Sequence, residues 1–118
     1  MKTNVSKQNV IDTVKMSITL EELDFRGPRL LNMWLKGRIY LPEITPESED
    51  KLKRLAFDLK GSEKFNRDLY IYDAYMKNII KKASEKLDCQ VDFTLTAEST
   101  VNDLCDCFLK AMEHKLTD

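Results

Sequence analysis

The stretch from Glu63 to Leu87 constrains the fold most, because apolar residues recur in it with helical spacing from end to end. The residues on this stripe are Phe65, Leu69, Tyr72, Met76, Ile79, Ile80, Ala83 and Leu87. Tyr70, Ile71 and Tyr75 widen the apolar face beyond a single stripe. So wide a face predicts one long central helix that contacts neighbouring elements on more than one side.

Shorter periodic stretches predict four or five further helices in the rest of the chain. Thr19 and Glu22 have the spacing of a capping box, which would start a short helix. Pro28 suits the first position of a helix, and Gly37 suits the left-handed residue that ends one. The first predicted helix is short and begins after Ser6. The others cover Leu20–Phe25, Pro28–Lys36, Thr45 or Ser48 to about Lys60, and Ser99 or Thr100 to about Leu116.

Apolar and polar residues alternate in other places, which is typical of half-buried strands. The alternating segments run from Val14 to about Thr19 and from Cys89 to Thr96, and the β-prone run Arg38–Leu41 is a third candidate. The predicted fold is therefore α+β and mainly α: one compact helical domain of about five helices with a small two- or three-stranded sheet. Residues 1–118 form this domain, with halves at 1–60 and 63–118.

Composition limits the possible partners. The chain has 19 basic and 20 acidic residues, so its net charge is −1. A near-neutral chain argues against strong nucleic-acid binding but leaves room for one local basic patch. Three cysteines do not suit a disulfide-stapled secreted domain, and no apolar run is long enough for a signal core or a membrane span. We expect a cytoplasmic protein that does not bind membranes.

No group of residues in the sequence predicts catalysis or metal binding. His114 is the single histidine, close to the C-terminus, and no nucleophile pairs with it in a known pattern. Cys105 and Cys107 diverge by about 200° on a helix, so they cannot bind one metal from one face. Cys105 is expected to pack inside as a small apolar residue. We therefore expect no enzyme activity, no metal and no cofactor.

Aromatic residues offer both core and surface candidates. Trp34 follows Leu30 and Leu31 by four and three residues, which predicts that it is buried with them. Tyr70, together with Arg67 and Lys77, has the composition of a protein-contact surface. Packing of these three side chains under a loop would explain them equally well.

Residues 19–59 resemble the helix-turn-helix region of small repressor and Cro-like proteins. Thr19–Phe25 is similar to the second helix of that family, and Trp34-Leu35 followed by Gly37-Arg38 is similar to the end of its recognition helix. Pro42 and the amphipathic run Leu52–Leu59 follow as they do in the family. A winged-helix interpretation is also open, in which Met16–Ile18 would be the first strand and Arg38–Leu41 the second.

This resemblance implies a small regulator that binds double-stranded DNA, of a phage or another mobile element. Its candidate DNA contacts are Arg29, Asn32, Lys36 and Arg38. Arginine and asparagine read base edges, and lysine or arginine holds phosphates. The alternative is a small non-enzymatic protein-binding module, acting as an inhibitor or adaptor through Arg67, Tyr70 and Lys77. Both hypotheses leave a homodimer open.

Overall fold

A computed structural model describes residues 5–116, and six α-helices make up most of them. They are α1 (Lys7–Phe25), α2 (Pro28–Leu35), α3 (Glu49–Phe57), α4 (Phe65–Leu69), α5 (Asp73–Leu87) and α6 (Val101–Ala111). Short 3-10 turns cover Leu41–Glu43 and Glu113–Lys115. Between residues 5 and 116 there is no strand, only two isolated bridges, Val5–Leu116 and Lys64–Thr100. The predicted α+β fold with a small sheet is therefore wrong, and the chain is mainly α.

The first predicted strand is part of α1, a single helix of 19 residues. Ser6 caps it, since the Asn9 N–H donates to Ser6 Oγ at 3.1 Å. The misleading alternation arises because α1 is buried on two sides. Val14 and Ile18 pack in the larger core cluster, whereas Met16 and Leu20 pack against a smaller one. The predicted capping box is also absent, because its residues lie inside this helix.

The long helix predicted for Glu63–Leu87 is interrupted at Tyr70, which adopts a left-handed conformation with φ 56°. The Ile71 N–H donates to the Phe65 carbonyl at 2.8 Å and closes the end of α4. This turn buries Ile71 completely and leaves Tyr72 55% exposed. The prediction that Tyr72 belongs to the buried stripe is therefore wrong.

The other two predicted strands are not paired either. Arg38–Tyr40 is irregular and leads into the turn Leu41–Glu43. Residues 90–96 alternate in burial, as their pattern predicts, but they form no strand, and Val91, Phe93 and Leu95 pack against the larger core cluster. The ring of Phe93 meets that of Phe108 on α6 edge to face, with centroids 5.1 Å apart.

Helix α1 joins the two apolar clusters of the fold. The larger cluster lies between α1, α4, α5 and α6, and the smaller one lies between the end of α1, α2, the turn Leu41–Glu43 and α3. Two contacts tie α1 to α5 near the boundary of these clusters. Lys82 Nζ donates to Glu21 Oε1 at 2.6 Å, and the rings of Phe25 and Tyr75 stack with centroids 4.9 Å apart.

The last helix begins as predicted. The Asp103 N–H donates to Thr100 Oγ1 at 3.1 Å, and the Thr100 N–H donates to Asp103 Oδ2 at 2.9 Å, which is a complete capping box. The predicted left-handed conformation of Gly37 is confirmed at φ 73°. Across residues 5–116, no helix combines the length and the apolar character that a membrane span needs.

Candidate functional site

The turn between α1 and α2 brings a buried ion pair into the helix-turn-helix-like region. Arg29, in the first turn of α2, reaches back so that its Nη2 lies 2.6 Å from Glu22 Oε1, and its Nη1 donates to the Leu55 carbonyl at 2.6 Å. The Arg29 side chain is 11% exposed and that of Glu22 is fully buried. Burial raises the pKa of the Glu22 carboxyl, and the Arg29 guanidinium opposes that rise. Arg29 thus connects α1, α2 and α3 through buried groups.

The other three candidate DNA contacts are exposed. Asn32 and Lys36 lie one helical turn apart on the exposed side of α2 and just past its end. Arg38 follows the left-handed Gly37, and its Nη2 lies 3.8 Å from Asp58 Oδ1. The structure therefore places three of the four residues at the surface and the fourth, Arg29, in the interior ion pair.

The C-terminal end of α2 presents apolar side chains to solvent. Trp34 is 39% exposed, Leu35 83% and Tyr40 56%, and we call these three residues the Trp34 patch. The rings of Trp34 and Tyr40 meet edge to face with centroids 6.2 Å apart. The prediction that Trp34 is buried is wrong, because Leu30 and Met33 occupy the inward face of α2.

A surplus of apolar residues in α2 is the sequence signal for this patch. Five of its eight residues are apolar, namely Leu30, Leu31, Met33, Trp34 and Leu35. A helix that packs against neighbours on one side cannot bury all of these positions, since successive residues lie about 100° apart around the axis. This surplus could have predicted that some apolar side chains of α2 are exposed, although not which ones.

A shallow cavity of about 340 Å³ adjoins the Trp34 patch. Tyr40 belongs to both, and the apolar part of the cavity wall consists of Met33, Ile39, Ile44 and Leu55. Its rim is charged, with Lys51 Nζ 3.5 Å from Glu43 Oε2. The patch and the cavity together give this end of the molecule an apolar surface with charged groups around it.

The predicted protein-contact residues of the second half lie on different helices. Tyr70 is 52% exposed at the end of α4, and Arg67 Nη2 lies 2.9 Å from Asp68 Oδ2. The bond between them raises the pKa of Arg67 and lowers that of Asp68. Lys77 lies on α5, beyond the left-handed turn, where it lines a groove with residues 90–96.

The cysteines have the environment of packing residues. Cys105 is buried as predicted, and burial raises the pKa of its thiol to about 11. Burial also raises the pKa of Cys107. Within residues 5–116 no three histidine, cysteine or acidic side chains are grouped so that they could hold a metal ion.

Comparison with known proteins finds no matching family model, no similar curated protein and no similar solved structure.

Proposed function

We propose that this chain is a non-enzymatic protein-binding module that contacts its partner through the Trp34 patch. The observation that supports the proposal is the 83% exposure of Leu35 next to the partly exposed ring pair of Trp34 and Tyr40. Single apolar residues at a surface are ordinary, whereas neighbouring ones are typical of interaction sites.

The chemistry of the patch fits a binding hot spot. Tryptophan and tyrosine are enriched among the residues that dominate interface energies. The edge-to-face contact of Trp34 with Tyr40 already restrains both rings, so less conformational entropy is lost on binding. Lys36 and Arg38 lie beside the patch. We expect a partner with an apolar pocket and acidic residues at its edge.

The test is affinity capture from host extract, with and without nuclease, using the wild type and Leu35→Glu. The matched control is Phe57→Glu, because Phe57 is a 57% exposed apolar residue at the end of α3. We expect a nuclease-resistant, stoichiometric partner that the wild type and the control capture and that Leu35→Glu loses. Equal capture by Leu35→Glu, or loss of the partner after nuclease treatment, would contradict the proposal.

Duplex-DNA binding by α2 is a second candidate, favoured by the exposure of Asn32 and Lys36 one turn apart on a helix that follows a tight turn. Fluorescence anisotropy over a salt series tests it. Substituting Lys36 and Arg38 with alanine should weaken binding and flatten its salt dependence, because phosphate contacts release counterions. Absence of binding at low salt would reject this candidate.

A further inference from the structure

Residues 90–96 belong to no helix or turn, and their burial alternates from residue to residue as it does along a strand, yet they pair with no strand in residues 5–116. This segment is bounded by two hydrogen bonds, from the Cys89 N–H to the Ser84 carbonyl and from the Ser99 N–H to the Thr96 carbonyl. Between them, none of the backbone N–H and C=O groups of Val91–Leu95 forms a hydrogen bond with any group in residues 5–116. Such a row of free donors and acceptors is a template for pairing with another strand.

Side-chain packing holds this segment in place. Val91, Phe93 and Leu95 point to one side and pack against the larger core cluster, while Asp92 and Thr94 are exposed. At its far end, the Ala97 N–H donates to Asp73 Oδ1 at 2.7 Å, which ties the segment to the start of α5. A strand fixed at both ends loses little further entropy when a second strand pairs with it.

The segment forms one wall of a groove of about 570 Å³, and α5 forms the other. Met76 and Ile80 supply apolar side chains from the helix, and Val91, Phe93 and Leu95 supply them from the segment. A groove between a helix and an unpaired extended chain suits a ligand that presents both a backbone edge and alternating side chains.

Charge indicates what kind of ligand fits. Lys77 and Lys81 are exposed on the α5 wall, and in the described part of the chain neither side chain forms an ion pair or a hydrogen bond. Asp73, the acidic residue of the lining, is already engaged by the Ala97 N–H. A second copy of this chain fits less well as occupant, since its own residues 90–96 would bring one carboxylate, that of Asp92, to the two lysines.

We propose that this groove binds an extended acidic peptide segment of a partner protein, which pairs with residues 90–96 as an added β-strand while its carboxylates contact Lys77 and Lys81. At about 3.3 Å per residue, a segment of this length accommodates roughly seven residues of ligand. This surface belongs to α5 and the segment after it, so it is separate from the Trp34 patch.

The test uses a panel of short, uniformly extended peptides in which aspartate or glutamate alternates with valine, isoleucine or threonine. A matched panel has lysine in place of the acidic residues. Binding is followed by amide NMR shifts and by hydrogen exchange of residues 90–96 in the full chain. The variant is Lys77→Glu with Lys81→Glu, and the control is Lys86→Glu with Lys110→Glu, two exposed lysines outside the groove.

We expect acidic peptides to bind with a Kd below about 1 mM. Binding should slow the hydrogen exchange of alternate amides in residues 90–96. The affinity for the groove variant should be at least about tenfold weaker than that for the control variant. The lysine panel should not bind. Failure of the whole acidic panel, binding without amide protection in residues 90–96, or equal affinity for variant and control would each overturn the proposal. Protection of those amides that grows with protein concentration and needs no peptide would identify a second copy as the occupant instead.

Discussion

Replacing Arg29 with alanine should unfold or severely destabilise the protein, although Arg29 is a candidate DNA contact by sequence. The substitution removes a 2.6 Å bond to Glu22 and a 2.6 Å bond to the Leu55 carbonyl. It leaves the Glu22 carboxyl buried with no counter-charge, and breaking a buried pair in this way costs about 3–5 kcal/mol. That is a large part of the roughly 5–15 kcal/mol by which small domains are stable.

The penalty should depend on pH in a defined direction. Burial raises the pKa of Glu22 above its ordinary value of 4.5, and removing Arg29 removes the charge that lowers it. Between 4.5 and the raised pKa, the folded state binds more protons than the unfolded state, so its stability falls as pH rises. Arg29→Ala should therefore be least stable, relative to wild type, at neutral pH and should recover towards wild type as pH falls to about 4.5.

Urea denaturation followed by circular dichroism, at neutral and acidic pH, measures both effects. Arg67→Ala is the matched control, because its pair with Asp68 lies at the surface and its loss should leave the midpoint nearly unchanged. Glu22→Gln combined with Arg29→Met should recover much of the loss, since both charges are then removed together. A loss below about 1 kcal/mol at neutral pH, or one that does not change with pH, would refute the reasoning.

Three further predictions follow from burial and capping. Trp34→Ala should lower the free energy of unfolding by much less than the roughly 3–5 kcal/mol typical of a buried aromatic residue, because Trp34 is 39% exposed. A thermal melt measures the change, and a loss of about 3–5 kcal/mol would show that Trp34 is a core residue. Cys105, with a pKa of about 11, should resist iodoacetamide at pH near 8 until urea unfolds the chain, as mass spectrometry of labelled peptides will show. Thr100→Ala should lower the free energy of unfolding by about 1 kcal/mol in the same melts, because it removes the N-cap of α6. An unchanged melting midpoint would mean that this cap does not stabilise the fold.

Local signals predicted four helix ends correctly, whereas the capping-box spacing of Thr19 and Glu22 did not mark a helix start. Ser6, Pro28 and Gly37 mark helix ends because the reasons are contained in neighbouring residues: a side-chain cap, a fixed φ and a free left-handed conformation. Thr100 belongs to the same class. The alternation within α1 led to the wrong prediction of a strand from Val14 to about Thr19. Burial on two faces of a helix and burial on one face of a strand produce the same pattern over a few residues.

The candidate surfaces depend on contacts that the sequence does not encode locally. The alternating burial of residues 90–96 was predictable from their sequence, but the predicted strand is absent, because a pairing partner depends on the whole fold. The pairing of Arg29 with Glu22 likewise required the turn at Arg26-Gly27 to be known. Which apolar side chains of α2 are exposed depends on its packing in the smaller cluster, where Leu30 and Met33 join residues of α1, α3 and the turn Leu41–Glu43.

The position of α1 at the boundary of both apolar clusters has a consequence for synthesis on the ribosome. The smaller cluster is complete once α3 has emerged, whereas the side chains of Val10, Val14 and Ile18 stay exposed until α5 and α6 have emerged and cover them. The end of α6 at Ala111 follows the end of α1 at Phe25 by 86 residues, so at about 5–20 residues per second this face of α1 stays uncovered for about 4–17 s. Nascent chains should therefore bind chaperones through α1 during that interval, and release should coincide with the emergence of α6.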